Sequence, residues 1–341
     1  MSDPRSGGRG PVPDPQAGGR RLRVGVLGCA GIAERRMLPS MAYQPLVEIA
    51  AVASRDGARA EAFAARFGGE PVTGYDRLLE REDVDAVYLP LPPELHVEWT
   101  IRALEAGKHV LCEKPFATGR AEAAEAVAAA RERRLLLMES FMFLHHPQHA
   151  EVARLLADGV IGELRLFHGY FGIPRAGTEA DAAPRYASTL PEVAAYPLRA
   201  ARLFLGDGLR VCGAELRRTE RDARPIAGSA LLVSSRGVPA HLVFGVDHSY
   251  RSGYAMWGSE GHLRLDRAYS TPDEHAPVVR IERQDGVEEV PLPCERQFTR
   301  IAGEFARTIL DGGDFERHGE DILRQAELVD AVDRAAAAAR S

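Results

Sequence analysis

The chain has 341 residues, 45% hydrophobic and 27% charged, with a net charge of −6; a prior of roughly 100–200 residues per domain allows it two. The acidic balance leaves no electrostatic footprint for nucleic acid or an anionic membrane, and no apolar run reaches the roughly 18–20 residues that span a bilayer. Four scattered cysteines, Cys29, Cys112, Cys212 and Cys294, form no C-x-x-C pair and read as reduced thiols of a cytoplasmic protein, against a disulfide frame or a zinc site.

Residues 1–21, rich in Gly, Pro and Arg, read as a disordered lead-in. The paired arginines of RRLRVGVLGCAGIA also fit a twin-arginine export signal. No small-residue cleavage site precedes the folded region, so the apolar run is read as a first strand and its glycine turn. Short apolar runs then alternate with helical patterns. Strands are expected at 22–28, 47–54, 85–92, 109–115 and 135–140, and helices at 32–41, 56–67, 93–106 and 120–133. Strand–helix alternation implies βαβ units and a doubly wound parallel sheet, here over 22–145, which the turn after the first strand marks as a dinucleotide-binding (Rossmann) domain.

After a helix at 149–157 the pattern changes. LRLFHGYFGI and runs at 209–219, 229–235, 239–249, 254–258, 262–266, 277–283 and 287–292 alternate with SRG, SEG and QDG turns. This resembles an antiparallel meander. Helices at 296–311 and 319–340 close the chain. Residues 146–341 therefore read as an α+β domain on a large open, mostly antiparallel sheet, with its last helices packing back on the first domain. The open face of that sheet is the expected surface for a homo-oligomer, dimer or tetramer.

The first strand leads into Gly28, Cys29, Ala30, Gly31, Ile32 and Ala33. In the G-x-G-x-x-G/A fingerprint, Gly28 takes the first place and Ala33 the last, while Ala30 with Gly31 beside it replaces the middle glycine. A pyrophosphate would sit on the free N–H groups of the next helix, with Arg35 on that helix as a further contact. A glycine turn between any strand and helix is the plain alternative. An acid ending the second strand would bind the ribose of NAD; here Ser54 and Arg55 stand there, with Arg59 one turn on. A hydroxyl and a guanidinium suit a 2′-phosphate, which argues for NADP(H); a solvated arginine at a helix start is the alternative. Tyr75 joins the candidate cofactor set. So do Leu89, Leu91 and His96 of YLPLPPELH, where open α/β sheets bind ligands, though a core or surface role for His96 fits its spacing nearly as well.

Lys114 ends the fourth strand, in HVLCEKPFAT. Pro115 permits a cis bond that would turn the lysine inward. There the ammonium would donate to a substrate carbonyl oxygen or protonate the alkoxide formed on hydride addition, with Glu113 as its partner and as a further cofactor contact. A surface Lys–Glu pair is the alternative. Glu192 and Tyr196 are four apart, on one face of a helix. A tyrosine near a lysine suits an acid; a core aromatic fits the spacing equally. His145, His146 and His149 invite a metal, but Pro147 interrupts and no H-E-x-x-H accompanies them. They read as site lining or interdomain packing, and no metal is expected. Trp99 and Trp257 read as packing.

Together GCAGIAERR, SRD, LPLPPELHVEW, AGKHVLCEKP and MESFMFLHHPQHAEVARLLADGVIGELR resemble the glucose–fructose oxidoreductase/inositol dehydrogenase (Gfo/Idh/MocA) family, from residue 22 to about 335. The nearest branch is the sugar 3-ketoreductases of antibiotic deoxysugar pathways. The resemblance implies NADPH-dependent reduction of the C-3 keto group of a dTDP-linked 3,4-diketo-2,6-dideoxyhexose. It implies Lys114 as proton donor and Tyr196 in place of the histidine of a D-x-x-x-H motif. Arg36, Arg185 and Glu192 would face the sugar nucleotide, with Tyr250 and Ser270 or Thr271 as further contacts. One segment departs from the pattern: RYASTLPEVAAYP lacks the glycine run of RY…GGGALLDxGxYP, and Glu192 replaces the aspartate. A displacement near 1 Å can cost on the order of 100-fold in rate. Another activated sugar or cyclitol, or a cofactor-binding scaffold, therefore stays open as an alternative.

Overall fold

The computed structural model describes residues 19–174, 190–219 and 222–339. Arg185 lies outside the described residues.

The first sheet has six parallel strands: β1 (Leu22–Leu27), β2 (Val47–Ser54), β3 (Glu70–Thr73), β4 (Ala86–Leu89), β5 (His109–Cys112) and β6 (Leu137–Glu139), in the order β3-β2-β1-β4-β5-β6. The order reverses between β1 and β4, and open α/β sheets bind ligands at the carboxyl ends of strands at such a switch point. The strands are apolar on both faces. Val24 and Val26 of β1 and Val52 of β2 enter one core cluster, whereas Leu27, Ala51 and Ala53 enter another. Two sets of helices therefore cover the sheet. On one side lie α1 (Leu38–Tyr43), reached through a π-helical turn at Ala33–Met37, and α2 (Gly57–Phe67). On the other lie α3 (Tyr75–Leu79), α4 (His96–Glu105) and α5 (Arg120–Arg133). Asp56 starts α2 by accepting hydrogen bonds from the Ala58 and Arg59 amides at 3.0 and 3.4 Å, satisfying donors that have no partner inside the helix.

Two elements, β3 and α3, are not expected from the sequence. Pro71, Gly68, Gly69 and Gly74 argue against a strand there, and β3 exists as a four-residue edge strand, where proline is tolerated.

After α6 (Pro147–Ala157) comes an eight-stranded sheet: β7 (Leu164–Gly172), β8 (Arg210–Thr219), β9 (Asp222–Val233), β10 (Pro239–Gly245), β11 (Arg251–Gly258), β12 (Gly261–Asp266), β13 (Val278–Arg283) and β14 (Gly286–Pro291). The order β14-β13-β12-β11-β7-β10-β9-β8 corrects the expected meander. β7 inserts between β11 and β10 and runs parallel to β10, while every other pairing is antiparallel. The inner face, with Phe167, Leu242, Phe244 and Tyr254, packs on α7 (Ala195–Leu205). Among the described residues the outer face shows Leu231, Val243 and Trp257 to solvent.

Two helices close the chain. α8 (Gln297–Leu310) packs on α1, and α9 (Phe315–Ala338) lies against α5 and β6 on one side and β8 on the other, so it spans both sheets. Arg199 and Arg202 of α7 both pair with Asp321 of α9, at 2.8 and 3.0 Å. These nearly buried guanidiniums fix the helix that carries Tyr196.

Among the described residues no helix is long and apolar enough to cross a membrane. The apolar run after the paired arginines is β1 itself.

Candidate active site

β1 ends at Leu27, and Gly28 turns the chain with φ +117°, a backbone that side chains other than glycine's rarely adopt. A Cβ there would also lie 2.7 Å from Leu91 Cδ2, with the Tyr75 hydroxyl 3.8 Å away. The turn is thus a cradle with no room for a side chain, walled by Leu91 and Tyr75. Tyr75 is held edge-on by Trp99 at 5.0 Å, a role that Trp99's sequence context did not announce. Ala30 and Ala33 follow, and Arg35 folds back over Gly31, where an added Cβ would meet its guanidinium at 2.5 Å. Ile32 lies between them, partly buried.

The Cys29 carbonyl accepts from Arg59 Nη2 at 2.6 Å, so Arg59 ties the turn to α2. The Cys29 thiol is pushed up by burial, opposed by Arg59 and Ser54. Ser54 is buried and its hydroxyl accepts from the Asp56 amide at 3.1 Å. Arg55 beside it is exposed.

At the neighbouring strand ends sit Leu89, fully buried, and Leu91. His96 is 1% exposed, and its two ring nitrogens lie 2.7 Å from the Leu91 carbonyl and 2.8 Å from the Pro115 carbonyl. Its polar atoms thus face the protein's own backbone. The ring links the loop over the phosphate turn to the loop that carries Lys114.

Lys114 follows β5 and its bond to Pro115 is cis. Its ammonium stands over the Tyr196 ring, 5.2 Å from the centroid. Tyr196, on the first turn of α7, sits in an aromatic cage. Phe171 lies at 4.9 Å, Phe141 at 5.6 Å, and Phe143 and Tyr269 each at 5.8 Å. Tyr196 is thus a core aromatic that also meets the lysine. Glu113 is buried and accepts from the Tyr88 hydroxyl at 2.8 Å and the Ser140 hydroxyl at 3.2 Å. Burial raises its carboxyl, while Tyr88, Lys114 and Ser140 act the other way. Glu139, at the end of β6, accepts from the Phe116 amide at 2.9 Å. Burial pushes it up to about 7 against the Phe116 amide, Arg199, Arg202 and Lys114. It lines a small solvent-connected pocket behind Pro115, with Pro191, Ile322 and Val329. The strand-end rule that singles out Lys114 applies equally to Glu139 and Ser140, one strand further along the sheet.

Glu192 is buried in a π-helical turn, Leu190–Ala194, that runs into α7. Arg36 is exposed on the helix after the phosphate turn. The Tyr250 and Ser270 hydroxyls lie 2.7 Å apart, and the Arg267 guanidinium stands 5.5 Å from the Tyr250 ring centre. Thr271 is buried and its hydroxyl donates to the Arg267 carbonyl at 2.5 Å. The contact of this segment with Tyr196 comes through the neighbouring Tyr269. Among the described residues no group of three or more His, Cys, Asp or Glu is placed to hold a metal ion.

The model of an oxidoreductase family with an NAD-binding Rossmann fold, GFO_IDH_MocA, matches residues 22–141. A dTDP-3,4-didehydro-2,6-dideoxy-alpha-D-glucose 3-reductase of Actinomadura kijaniata is 51% identical over 313 residues, covering 91% of this chain and 94% of that protein. The chain belongs to the Gfo/Idh/MocA family. A second family member of the same name, from Saccharopolyspora spinosa, is 47% identical over 92% of the chain and 97% of its own length. The crystal structure of a 3-ketoreductase from Actinomadura kijaniata, in complex with NADP and TDP-benzene, superposes with a TM-score of 0.88 at 50% identity, covering 93% of this chain and 98% of that one. Similar structures of that family member carry a lysine replaced by Ala or Glu, or a tyrosine replaced by Phe.

Proposed function

We propose that the chain is an NADPH-dependent ketoreductase that reduces the C-3 keto group of a dTDP-3,4-diketo-2,6-dideoxyhexose in deoxysugar biosynthesis. The observation that carries this reading is 51% identity over 91% of the chain with a 3-reductase of that sugar nucleotide.

The crevice suits the cofactor. Gly28, with its positive φ and no space for a Cβ, lets backbone approach a pyrophosphate, and the helix start beyond it offers N–H groups. Cys29, Ala30, Gly31, Ile32, Ala33 and Arg35 complete that contact. Ser54 and Arg55 end β2 where the ribose would lie, and a guanidinium favours a 2′-phosphate. Tyr75 and Leu91 wall the same turn, and His96 and Glu113 are further proposed contacts. When bound, the reduced nicotinamide supplies a hydride to the carbonyl carbon. Lys114 polarises the ketone oxygen and gives it a proton as negative charge develops there, leaving an alcohol at C-3 and a neutral amine on the lysine. Tyr196 supports the ammonium from below and is the second candidate acid. Arg36, Arg185, Glu192, Tyr250 and Thr271 are the proposed contacts of the sugar nucleotide.

The reading extends to a boundary between the two domains at residues 145 and 146, to a cytoplasmic location, and to a homodimer or homotetramer through the outer face of the eight-stranded sheet. Apolar Leu231, Val243 and the 62%-exposed Trp257 on that face support the last point. The deciding experiment follows NADPH oxidation with the dTDP-linked diketo sugar and identifies the product. Cofactor consumption with one new alcohol at C-3 is expected. Cofactor binding without turnover of this substrate would leave the scaffold reading standing instead.

A further inference from the structure

We infer that the chain encloses a binding site for one water molecule between the start of α6, residues 268–271 and the start of α8, in the core of the histidine-rich block. Three side chains there are nearly sealed: His146, Gln148 and Gln297 are 2%, 1% and 2% exposed. The Gln148 amide nitrogen donates to the Ala268 carbonyl at 3.0 Å and to the Thr271 hydroxyl at 3.2 Å. That hydroxyl donates in turn to the Arg267 carbonyl at 2.5 Å, so it accepts from Gln148 and the orientation of the amide is set. The Gln297 amide nitrogen donates to the Thr271 carbonyl at 3.0 Å. Both glutamines thus spend their nitrogens around Thr271, and both Oε1 atoms have no hydrogen-bond partner among the described residues.

His146 completes the set. Its Nδ1 accepts from the Gln148 backbone N–H at 3.2 Å. A ring nitrogen that accepts carries no hydrogen, so the neutral ring holds its proton on Nε2. Burial holds His146 down at about 4, so the ring is neutral near pH 7. Nε2 also lacks a partner among the described residues. The cluster therefore presents one orphan donor and two orphan acceptors. Each is destabilising if left unpaired.

A water molecule is the smallest group with the complementary pattern. It accepts from His146 Nε2–H and donates to Gln148 Oε1 and Gln297 Oε1, making the three hydrogen bonds typical of buried water. A cation fits poorly, because the neutral ring offers an N–H there and not a lone pair. The third histidine is already committed. His149 Nε2 donates to the Ala268 carbonyl at 3.1 Å, and its Nδ1 faces the Tyr254 hydroxyl at 2.9 Å. The water would join three segments behind the aromatic cage, since Tyr269 meets Tyr196 and Phe143 meets both Tyr196 and His149.

The test is a crystal structure of the full chain at a resolution that orders water, followed by neutron diffraction. A single peak at about 2.7–3.0 Å from all three atoms is expected, with deuterium on His146 Nε2 and none on Nδ1. Density showing Nε2 bonded directly to either glutamine oxygen would overturn the inference. So would a peak much closer to both oxygens with the ring proton on Nδ1, which marks an ion. A His146→Phe crystal should lose the peak while Gln148 and Gln297 stay in place; persistence of the peak would also overturn it. The wild-type diffraction result stands alone if that variant fails to fold.

Discussion

Lys114 lies over the face of Tyr196, its ammonium 5.2 Å from the ring centre. The two residues are 82 positions apart in a chain where one ends a parallel strand and the other opens a helix of the second half. A cation over an aromatic face gains roughly 0.5–2 kcal/mol, more when desolvated, so Tyr196 helps to hold the lysine in place. Lys114→Ala and Lys114→Met are expected to lower kcat by at least about 100-fold, within the range for loss of a general acid, and to leave NADPH affinity within a few-fold of wild type. Stopped-flow hydride transfer and cofactor titration check the two halves separately.

Tyr196→Phe keeps the ring and removes the hydroxyl, whereas Tyr196→Ala removes both. If support of the ammonium dominates, the Phe variant retains activity within about 10-fold and the Ala variant falls much further, by the on-the-order-of-100-fold cost of a misplaced reacting group. Equal losses in the two variants would make the hydroxyl itself the acid. Steady-state kinetics on both variants decides between these roles.

Which of these relationships were legible in the sequence follows from the range of the signals. LRVGVLGCAG announces a strand and a tight turn through neighbouring residues, and the strand-end rule found Lys114. The aromatic cage was not legible, because Phe141, Phe171, Tyr196 and Tyr269 come from four separate segments and each reads alone as core. The insertion of β7 beside β10 is a pairing between distant strands, which no local alternation encodes. The histidine block read as site lining or interdomain packing, but spacing cannot show that His146 and His149 turn ring nitrogens toward backbone groups.

His96 joins Leu91 to Pro115 through both ring nitrogens, and Leu91 roofs Gly28. A neutral ring carries a single N–H, so His96→Ala leaves one of the two backbone carbonyls without its donor, at a cost of about 1–3 kcal/mol where water cannot replace it. We expect a lower Tm together with a raised KM for NADPH and a reduced kcat, since one strut serves both loops. His96→Gln, which restores a donor to one carbonyl, should recover part of the KM loss.

Arg55 is exposed at the end of β2 beside buried Ser54. Removing a guanidinium from a phosphate forfeits charge-assisted hydrogen bonds of roughly 1.5–3 kcal/mol. Arg55→Ala is therefore expected to weaken NADPH binding by about 10–100-fold and leave NADH binding almost unchanged. Paired titrations with the two cofactors report the ratio, and an equal loss for both would place Arg55 away from the 2′-phosphate.

Glu139 supplies a pH dependence whose sign is set by burial. Its carboxyl ordinarily titrates at 4.5 and is pushed up to about 7 in the fold, so the folded state holds a proton that the unfolded state releases. The stability this contributes is fully present below 4.5 and is lost as pH rises through 7. A shift of this size corresponds at most to about 3 kcal/mol, and the partial exposure of Glu139 reduces it to roughly 1–2 kcal/mol. Glu139→Gln keeps an acceptor for the Phe116 amide and cannot ionise. At pH 8 the variant should be the more stable by that amount, and at pH 4.5 the two proteins should unfold alike. Denaturant melts at both pH values measure the difference directly. A variant less stable than wild type at pH 8 would show that the Glu139 carboxylate, held by Arg199, Arg202 and Lys114, is a stabilising anion.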